Sequence, residues 1–219
     1  MHAGAVGGAG SKPTTSRRVA LTRERVVAAA LESLATDPSG SGLTMRTLAR
    51  RLGVAPMTIY GHVRDRDDLL EALLDKLFAN RWEPDPSLPW RDWIVDAATR
   101  LLELLLAYPP LLELYLRRPV ATQLARTRMD AMATRLAAGG FTPEAAHQVY
   151  AALHTYTIGF AVLRAERLRN QHVPRDPMEA DLARFTTVEQ FAISLNFLIE
   201  GARDRHLAQG QSREPEEHP

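Results

Sequence analysis

The stretch VAPMTIYGHVRDRDD, residues 54–68, is too polar for a core element and too regular for a plain loop. Pro56 can open a short helix, because the first helical position has no use for a backbone N–H donor. Ile59 and Val63 lie four residues apart in this helix and predict one buried face. The other side chains are small or polar and would then face outward.

Two further helices are predicted before this stretch. Thr22 and Thr44 can each cap a helix, and the segment TDPSGSG (36–42) separates the two. Gly53 ends the second helix and forms a tight turn into the third. Short amphipathic helices joined by such a turn are typical of a helix-turn-helix. The chain as a whole predicts an all-α fold, because no segment alternates as a β-strand would.

The charge is unevenly distributed along the chain. Residues 1–81 carry 12 Lys and Arg against 8 Asp and Glu, whereas residues 82–219 carry 15 against 18. A basic N-terminal third favours a local anionic partner, although a solvated charged face is the alternative interpretation. An outward helix face of small and polar residues suits the groove of double-stranded DNA, which is the partner that we infer.

Breaks in composition predict the domain organisation. Residues 1–18 and 209–219 are poor in large apolar groups and are expected to be disordered. The proline-rich segment NRWEPDPSLPW, which begins at Asn80, places a boundary between a DNA-binding domain (19–81) and a larger domain (82–208). The chain lacks Cys and shows neither a secretion signal nor a membrane-spanning run. We therefore expect a cytoplasmic protein with no membrane partner.

The larger domain is expected to hold helices at about 90–107, 109–117, 119–138, 143–169 and 187–207. The helix at 143–169 carries two apolar stripes, which predicts a core face and a partner face. In the last helix, Thr187 and Gln190 match a capping box. Together the two helices predict a homodimer interface; the alternative is that both are buried within a monomer.

Residues 21–77 closely resemble the DNA-binding domain of the tetracycline-repressor (TetR) family, through LTMRTLARRLGV, TIYGHV and DRDDLL. Residues 108–166 are similar to the stretch that carries the effector pocket and dimer helix in such proteins. The resemblance implies a homodimeric repressor that binds a palindromic operator and releases it when a small molecule binds; the sequence does not separate a repressor from an activator. It also implies contacts with DNA through Arg46 to a base, through Pro56 and Met57 at the groove, and through Thr58, Tyr60 and Arg66 to phosphates. Thr44, His62 and Arg64 complete the DNA-binding candidates, with packing as the alternative for Tyr60 and His62.

Candidates for lining an effector pocket are Trp93, Tyr108, Leu112, Tyr115, His147, Tyr150 and His154. Three of them, His147, Tyr150 and His154, share one helix face. They can form a polar strip in a cavity, a metal site or satisfied core packing. The surrounding Leu, Ala and Tyr residues predict a small, largely apolar effector.

A magnesium–tetracycline chelate is not the expected effector. By the resemblance, the magnesium-binding His of tetracycline-binding members falls at Leu114 or Tyr115. Their drug-anchoring His and Asn fall near Trp82 and Ala97. None of these side chains supplies the group required, so no cofactor and no metal are expected.

An enzyme and a plain helical interaction protein are the competing hypotheses. The sequence contains no phosphate-binding glycine loop, nucleophile elbow or metalloprotease helix. The acids of DRDD (65–68) are interpreted as helix capping, which complements the helix dipole. No catalytic residue is predicted. An interaction protein would not need the groove-facing helix or the local excess of arginine.

Overall fold

The computed structural model describes residues 20–117, 119–170 and 174–211. Within these ranges the chain forms ten α-helices and no strand, as the sequence predicts for an all-α fold. The helices are α1 (Arg23–Thr36), α2 (Met45–Leu52), α3 (Pro56–Tyr60), α4 (Arg66–Arg81), α5 (Trp90–Ala107), α6 (Pro109–Arg117), α7 (Gln123–Ala138), α8 (Pro143–Asn170), α9 (Pro177–Arg184) and α10 (Val188–Gln211).

The first three helices begin at the predicted residues, and the first two also end where predicted. The Thr22 hydroxyl accepts the Arg25 N–H and starts α1. The Thr44 hydroxyl caps α2 by accepting the Thr47 N–H at 3.1 Å. In turn, the Thr47 hydroxyl oxygen accepts the Thr44 backbone N–H. Gly53 ends α2 with φ of 67°, in the left-handed region that favours glycine. These local bonds fix the angle between α2 and α3.

Helices α1 to α4 enclose one apolar centre. α1 packs on α2 and α4, and α2 packs on α3. Ile59 and Val63 point into this centre and are buried, as their spacing predicts. The buried side chains of α1 and α4 surround them, including Val26, Leu34 and Leu70. The inward anchoring of Ile59 leaves the opposite face of α3 toward solvent.

Helix α5 lies at the centre of the remaining helices. It packs against α6, α7, α8 and α10, and nearly every turn of α5 contributes a buried Leu, Ile, Ala or Trp. Helix α6 also packs on α4, and α4 touches α7, so the two groups of helices share a junction.

The structure corrects three expectations in the larger part of the chain. α7 begins at Gln123, about one turn later than expected, because the Thr122 hydroxyl caps it by accepting the Ala125 N–H. The short helix α9 was not predicted, although Asp176 and Pro177 form a good start signal. Only half of the expected capping box is present: Thr187 accepts the Gln190 N–H, but the Gln190 amide donates to Ser194.

The predicted arms lie mostly outside the described residues. This applies to 1–18 and to 212–219, whereas residues 209–211, which were expected to be disordered, form the end of α10. Among the helices that are described, none has both the length and the apolar character of a membrane span.

Candidate nucleic-acid interface and effector cavity

Helix α3 presents its predicted outward face to solvent. Met57 is 77% exposed and Tyr60 is 47% exposed, whereas Ile59 between them is fully buried. Pro56 and Thr58 are also exposed. This exposure favours a surface role for Tyr60 over packing between helices. The exposed face is a short, hydroxyl-bearing surface without a charged side chain.

A buried carboxylate holds the end of this helix-turn-helix in place. Asp68 accepts two hydrogen bonds from the Arg23 guanidinium, at 2.8 and 2.9 Å, and one from the Arg64 backbone N–H at 2.8 Å. The hydrogen bond and charge of Arg23 hold the pKa of Asp68 well below its usual range, and the Arg64 N–H adds to the effect. Arg23 also donates to the His62 carbonyl at 2.9 Å. This cluster ties α1 to the segment between α3 and α4.

The sequence identified only part of this cluster. Asp65 caps α4 by accepting the Asp68 N–H at 2.7 Å, which agrees with the capping interpretation of DRDD. Asp68 instead pairs with Arg23, forty-five positions earlier. No local pattern indicates a contact at that separation.

The other predicted DNA-binding residues lie around α3 in different settings. Arg46 is exposed on α2, and His62 is half-buried. The Arg64 side chain is exposed and lies 3.6 Å from Asp68. Arg66 lies 3.7 Å from Glu113 of α6, so it sits at the junction between the two groups of helices. The Thr44 hydroxyl is engaged in capping α2, which leaves it less available to DNA than expected.

A cavity of about 820 Å³ lies between α6, α7 and α8. Three predicted residues line it, namely Tyr115, Tyr150 and His154. Tyr150 stacks on His154 with ring centroids 5.6 Å apart, and Tyr115 meets the same ring at 5.6 Å. Burial lowers the pKa of His154, and the nearby Arg128 lowers it further, so both effects favour the neutral imidazole. The rest of the lining is mainly apolar, with Leu116, Pro119, Val120, Ala121, Ala125, Met129, Ile158 and Val162.

Four predicted lining residues are not part of this cavity. Trp93 is buried against Trp82, and Tyr108 and Leu112 are buried in the core around α5 and α6. His147 lies on the surface of α8, where its Nδ1 atom is 2.7 Å from the Pro143 carbonyl. The predicted polar strip on α8 is therefore divided, because Tyr150 and His154 line the cavity whereas His147, one turn earlier, is exposed to solvent.

Arg128 was not among the predicted lining residues, yet it lines the cavity and is only 8% exposed. Its guanidinium carbon lies 3.6 Å from the Phe78 ring centroid and 4.7 Å from that of Trp82. Burial lowers the pKa of Arg128, and the Tyr115 hydroxyl opposes this shift. A signal was present in the sequence, because Arg128 falls in the apolar row formed by Leu124, Met132 and Leu136 at four-residue spacing.

Ion pairs connect α6, which forms part of the cavity wall, to the first turn of α4. Arg117 of α6 lines the cavity and pairs with Asp67 in the first turn of α4. One turn earlier in α6, Glu113 faces Arg66. Within the described residues, no group of three or more His, Cys, Asp or Glu side chains is placed to hold a metal ion.

The chain is similar to known regulators along most of its length. A family model for the C-terminal domain of tetracyclin-repressor-like proteins matches residues 83–189. An HTH-type transcriptional regulator of Saccharopolyspora erythraea is 36% identical over 140 residues, or 64% of this chain and 59% of that protein. The chain thus matches less than two thirds of that relative's length. The class C tetracycline repressor protein of Escherichia coli is 28% identical over 194 residues, which cover 87% of each chain.

Solved structures agree with this fold. A single-residue variant of TetR from Acinetobacter baumannii AYE, in complex with minocycline, has a TM-score of 0.67 and 26% identity, and covers 85% of this chain and 99% of its own. BioQ bound to its double-stranded DNA operator has a TM-score of 0.59 and 26% identity, and covers 84% of this chain and 99% of its own.

The exposed face of α3 and the neighbouring cavity define an all-α helix-turn-helix protein with a second, helical unit. The matched C-terminal domain, the related regulators and the solved structures together indicate a transcriptional regulator of the TetR family. Its relatives are regulators and not enzymes, in agreement with the interpretation of the sequence.

Proposed function

We propose that this protein is a ligand-responsive repressor that binds a palindromic DNA operator as a homodimer. The binding of a small molecule in the cavity between α6, α7 and α8 releases the protein from the operator. In this proposal residues 19–81 bind DNA, residues 82–208 bind the effector and form the dimer, and the protein acts in the cytoplasm. The observation that carries the proposal is the exposed face of α3 on a helix-turn-helix that is held in place by a buried ion pair.

The proposed DNA contacts follow from the surroundings of α3. The exposed Thr58 and Tyr60 hydroxyls can donate to phosphates, and the exposed guanidinium of Arg64 adds charge just beyond the helix. Arg46 on α2 is the candidate for reading a base edge. Arg66 is a weaker phosphate candidate than the sequence suggested, because Glu113 competes for it.

The proposed dimer follows from the apolar surface of α8 and α10. Ile193, Phe197 and Leu198 on α10 are exposed, and so is Leu163 on α8. Exposed large apolar side chains on two helices that pack together are typical of a protein–protein interface. Because a two-fold dimer presents two copies of α3, the operator is expected to be an inverted repeat.

The proposed release depends on the contacts between α6 and α4. Arg117 both lines the cavity and pairs with Asp67 of α4. A molecule in the cavity that moves α6 will therefore move the base of the DNA-binding helices. It releases DNA only if it binds the DNA-free arrangement more tightly than the DNA-bound one.

The relatives support this assignment. The regulator of Saccharopolyspora erythraea is named as an HTH-type transcriptional regulator. The structure of BioQ contains its operator, and that of the Acinetobacter TetR variant contains a small molecule. We infer that this chain has a DNA site and an effector site of the same general kind.

A gel-shift experiment with duplexes selected from a random pool tests the proposal. We expect tight binding to a selected inverted repeat and much weaker binding to a scrambled duplex at about 0.15 M salt. Arg46→Ala should weaken binding to the selected repeat by about 1–3 kcal/mol and relax the preference at one base position. Arg64→Ala should weaken both duplexes similarly, because a phosphate contact carries no base information.

Arg51→Ala is the matched control on α2, since Arg51 pairs with Glu32 at the surface. It should change neither affinity nor preference appreciably. Equal affinity of the wild-type protein for the selected and scrambled duplexes would contradict the proposal.

A further inference from the structure

Arg128 is a buried charged side chain whose burial is not fully compensated by contacts within the described part of the chain. It is more than nine-tenths buried, and its Nε atom is buried without a hydrogen-bond partner. The side chain lines both the main cavity and a small adjoining void next to Trp82 and Tyr150. A buried donor atom without a partner, on a charged side chain at the wall of a cavity, requires a physical explanation.

The contacts of Arg128 within the protein compensate only part of the cost of burying a charge. The Phe78 and Trp82 rings provide cation–π contacts and the Tyr115 hydroxyl also favours the charge, but these contacts are weaker than an ion pair with full hydrogen bonding. Among the described residues, no carboxylate lies within ion-pair distance of this guanidinium. Asp75 contributes favourable charge, but its carboxylate already accepts the Thr122 hydroxyl at 2.6 Å.

The described lining of the cavity provides no acidic side chain that could pair with Arg128. Its lining, as described, contains Arg117, Arg126 and Arg128 but neither Asp nor Glu. A ligand entering it therefore meets one desolvated cation and two that are nearer to solvent. Charge-assisted hydrogen bonds are strongest where water is excluded, so the buried guanidinium is the strongest single contact available to an anion.

We propose, on the basis of the function proposed above, that Arg128 binds an acidic group of the effector. The ligand class is an apolar or aromatic organic acid, with a carboxylate or similar oxygen anion on the guanidinium. Its apolar body lies against Val120, Met129 and Ile158, and its ring, if it has one, lies near the stacked Tyr150 and His154. This extends the prediction of a largely apolar effector by adding one anionic group.

Arg128 also connects the ligand to the DNA-binding helices. Phe78 lies in the last turn of α4, and Trp82 ends that helix. The guanidinium stacks on these rings through its face, and its in-plane N–H groups are the donors that an acid would use. A ligand held by Arg128 is therefore one side chain away from the end of α4.

Two fluorescent probes that differ by one anionic group test the proposal. They are 8-anilinonaphthalene-1-sulfonate and its neutral analogue N-phenyl-1-naphthylamine, titrated into the full-length protein. We expect the wild type to bind the sulfonate more tightly. Arg128→Met should lower the affinity for the sulfonate roughly tenfold or more and leave that for the neutral probe within about twofold.

Two variants control the experiment. Arg126→Met removes an exposed arginine from the same cavity and should leave both affinities almost unchanged. Arg128→Lys keeps the charge and should retain most of the preference for the sulfonate. Equal loss in the two methionine variants, or no loss in Arg128→Met, would overturn the proposal.

A second measurement needs no variant and remains available if Arg128→Met does not fold. Displacement of the bound sulfonate by 2-naphthoate is compared with displacement by methyl 2-naphthoate. The acid should compete at a roughly tenfold lower concentration, and equal competition would overturn the proposal.

The gel shift on the same preparation separates the two proposals. Specific DNA binding, together with probe affinities that do not depend on Arg128, leaves the repressor function standing and rejects the acidic effector. Absence of specific DNA binding rejects the repressor function, whatever the probes do.

Discussion

At the scale of single residues, two buried charges differ in how they are satisfied. The Asp68 carboxylate accepts three hydrogen bonds and forms an ion pair with Arg23, so both its charge and its oxygen atoms have partners within the chain. Arg128 lacks a partner at Nε and faces a cavity. Removing one partner of a satisfied buried charge destabilises the fold, whereas an incomplete set of contacts at a cavity wall indicates a place for a ligand.

Replacing Asp68 should destabilise the protein in a pH-dependent way. Asp68→Ala removes the partner of Arg23 and leaves the Arg64 N–H without its acceptor. We expect a loss of about 1–3 kcal/mol in the free energy of unfolding at pH 7, measured by urea denaturation at fixed protein concentration.

The sign of the pH dependence follows from the depressed pKa of Asp68. The stabilisation is complete above the unfolded-state pKa near 4 and is lost as the pH falls through the lower folded-state value. The difference between wild type and variant should therefore shrink below pH 4. Glu32→Ala is the control, because it breaks an exposed ion pair with Arg51 and should change the free energy of unfolding by less than about 1 kcal/mol. A loss in Glu32→Ala as large as that in Asp68→Ala would contradict a special role for Asp68.

At the scale of helices, α10 has two apolar faces with different roles. Phe191, Leu195 and Ile199 are fully buried within the chain, where Phe191 meets Phe160 with ring centroids 4.9 Å apart. Substituting Phe191 or Leu195 would disrupt the core of one subunit and so cannot isolate a dimer contact. The opposite face, which includes Phe197, is free for a partner.

Phe197→Glu should dissociate the proposed dimer while each subunit stays folded. Phe197 is 66% exposed, so a carboxylate there is solvated in the monomer but buried and unpaired in an interface. Sedimentation at micromolar concentration should show a monomer with native helix content by circular dichroism. Binding to the selected operator should fall steeply, although the DNA-contacting face is unchanged.

Met178→Glu is the control, because Met178 is an exposed apolar residue on α9, outside the proposed interface. It should remain dimeric. A wild-type protein that sediments as a well-folded monomer would contradict the dimer itself.

At the scale of the whole molecule, the cavity and its charge define what the protein responds to. The lining contains three arginines, one histidine and no carboxylate among the described residues. Magnesium prefers oxygen ligands, and a divalent cation beside Arg128 would be repelled. The protein shares its fold with the minocycline-bound TetR variant, but we expect the charge of its cavity to disfavour a magnesium chelate.

Tetracycline with magnesium should accordingly leave the protein–operator complex intact. The position that the resemblance assigns to the magnesium-binding His holds Leu114, which is buried, or Tyr115, which is not a histidine. The measurement is a titration of the drug and magnesium against the gel-shifted complex, with the drug alone as the control. Release at micromolar drug would contradict this prediction, and substituting His154 would then show whether that side chain binds the metal.

The sequence by itself determined the features that depend on neighbours a few residues apart. Thr22, Thr44 and Gly53 set helix ends through bonds within four or five positions, and Ile59 with Val63 set the buried face of α3. Such signals are local, so they are present in the sequence before the chain folds.

Only the tertiary structure decided which distant groups meet. The pairing of Arg23 with Asp68, the position of Arg66 against Glu113 and the packing of Arg128 on Phe78 join residues far apart in the chain. The pattern of α7 marks Arg128 as a core position but cannot reveal a cavity or a missing partner. Contacts of that kind depend on how whole helices pack, and no periodicity within one helix encodes them.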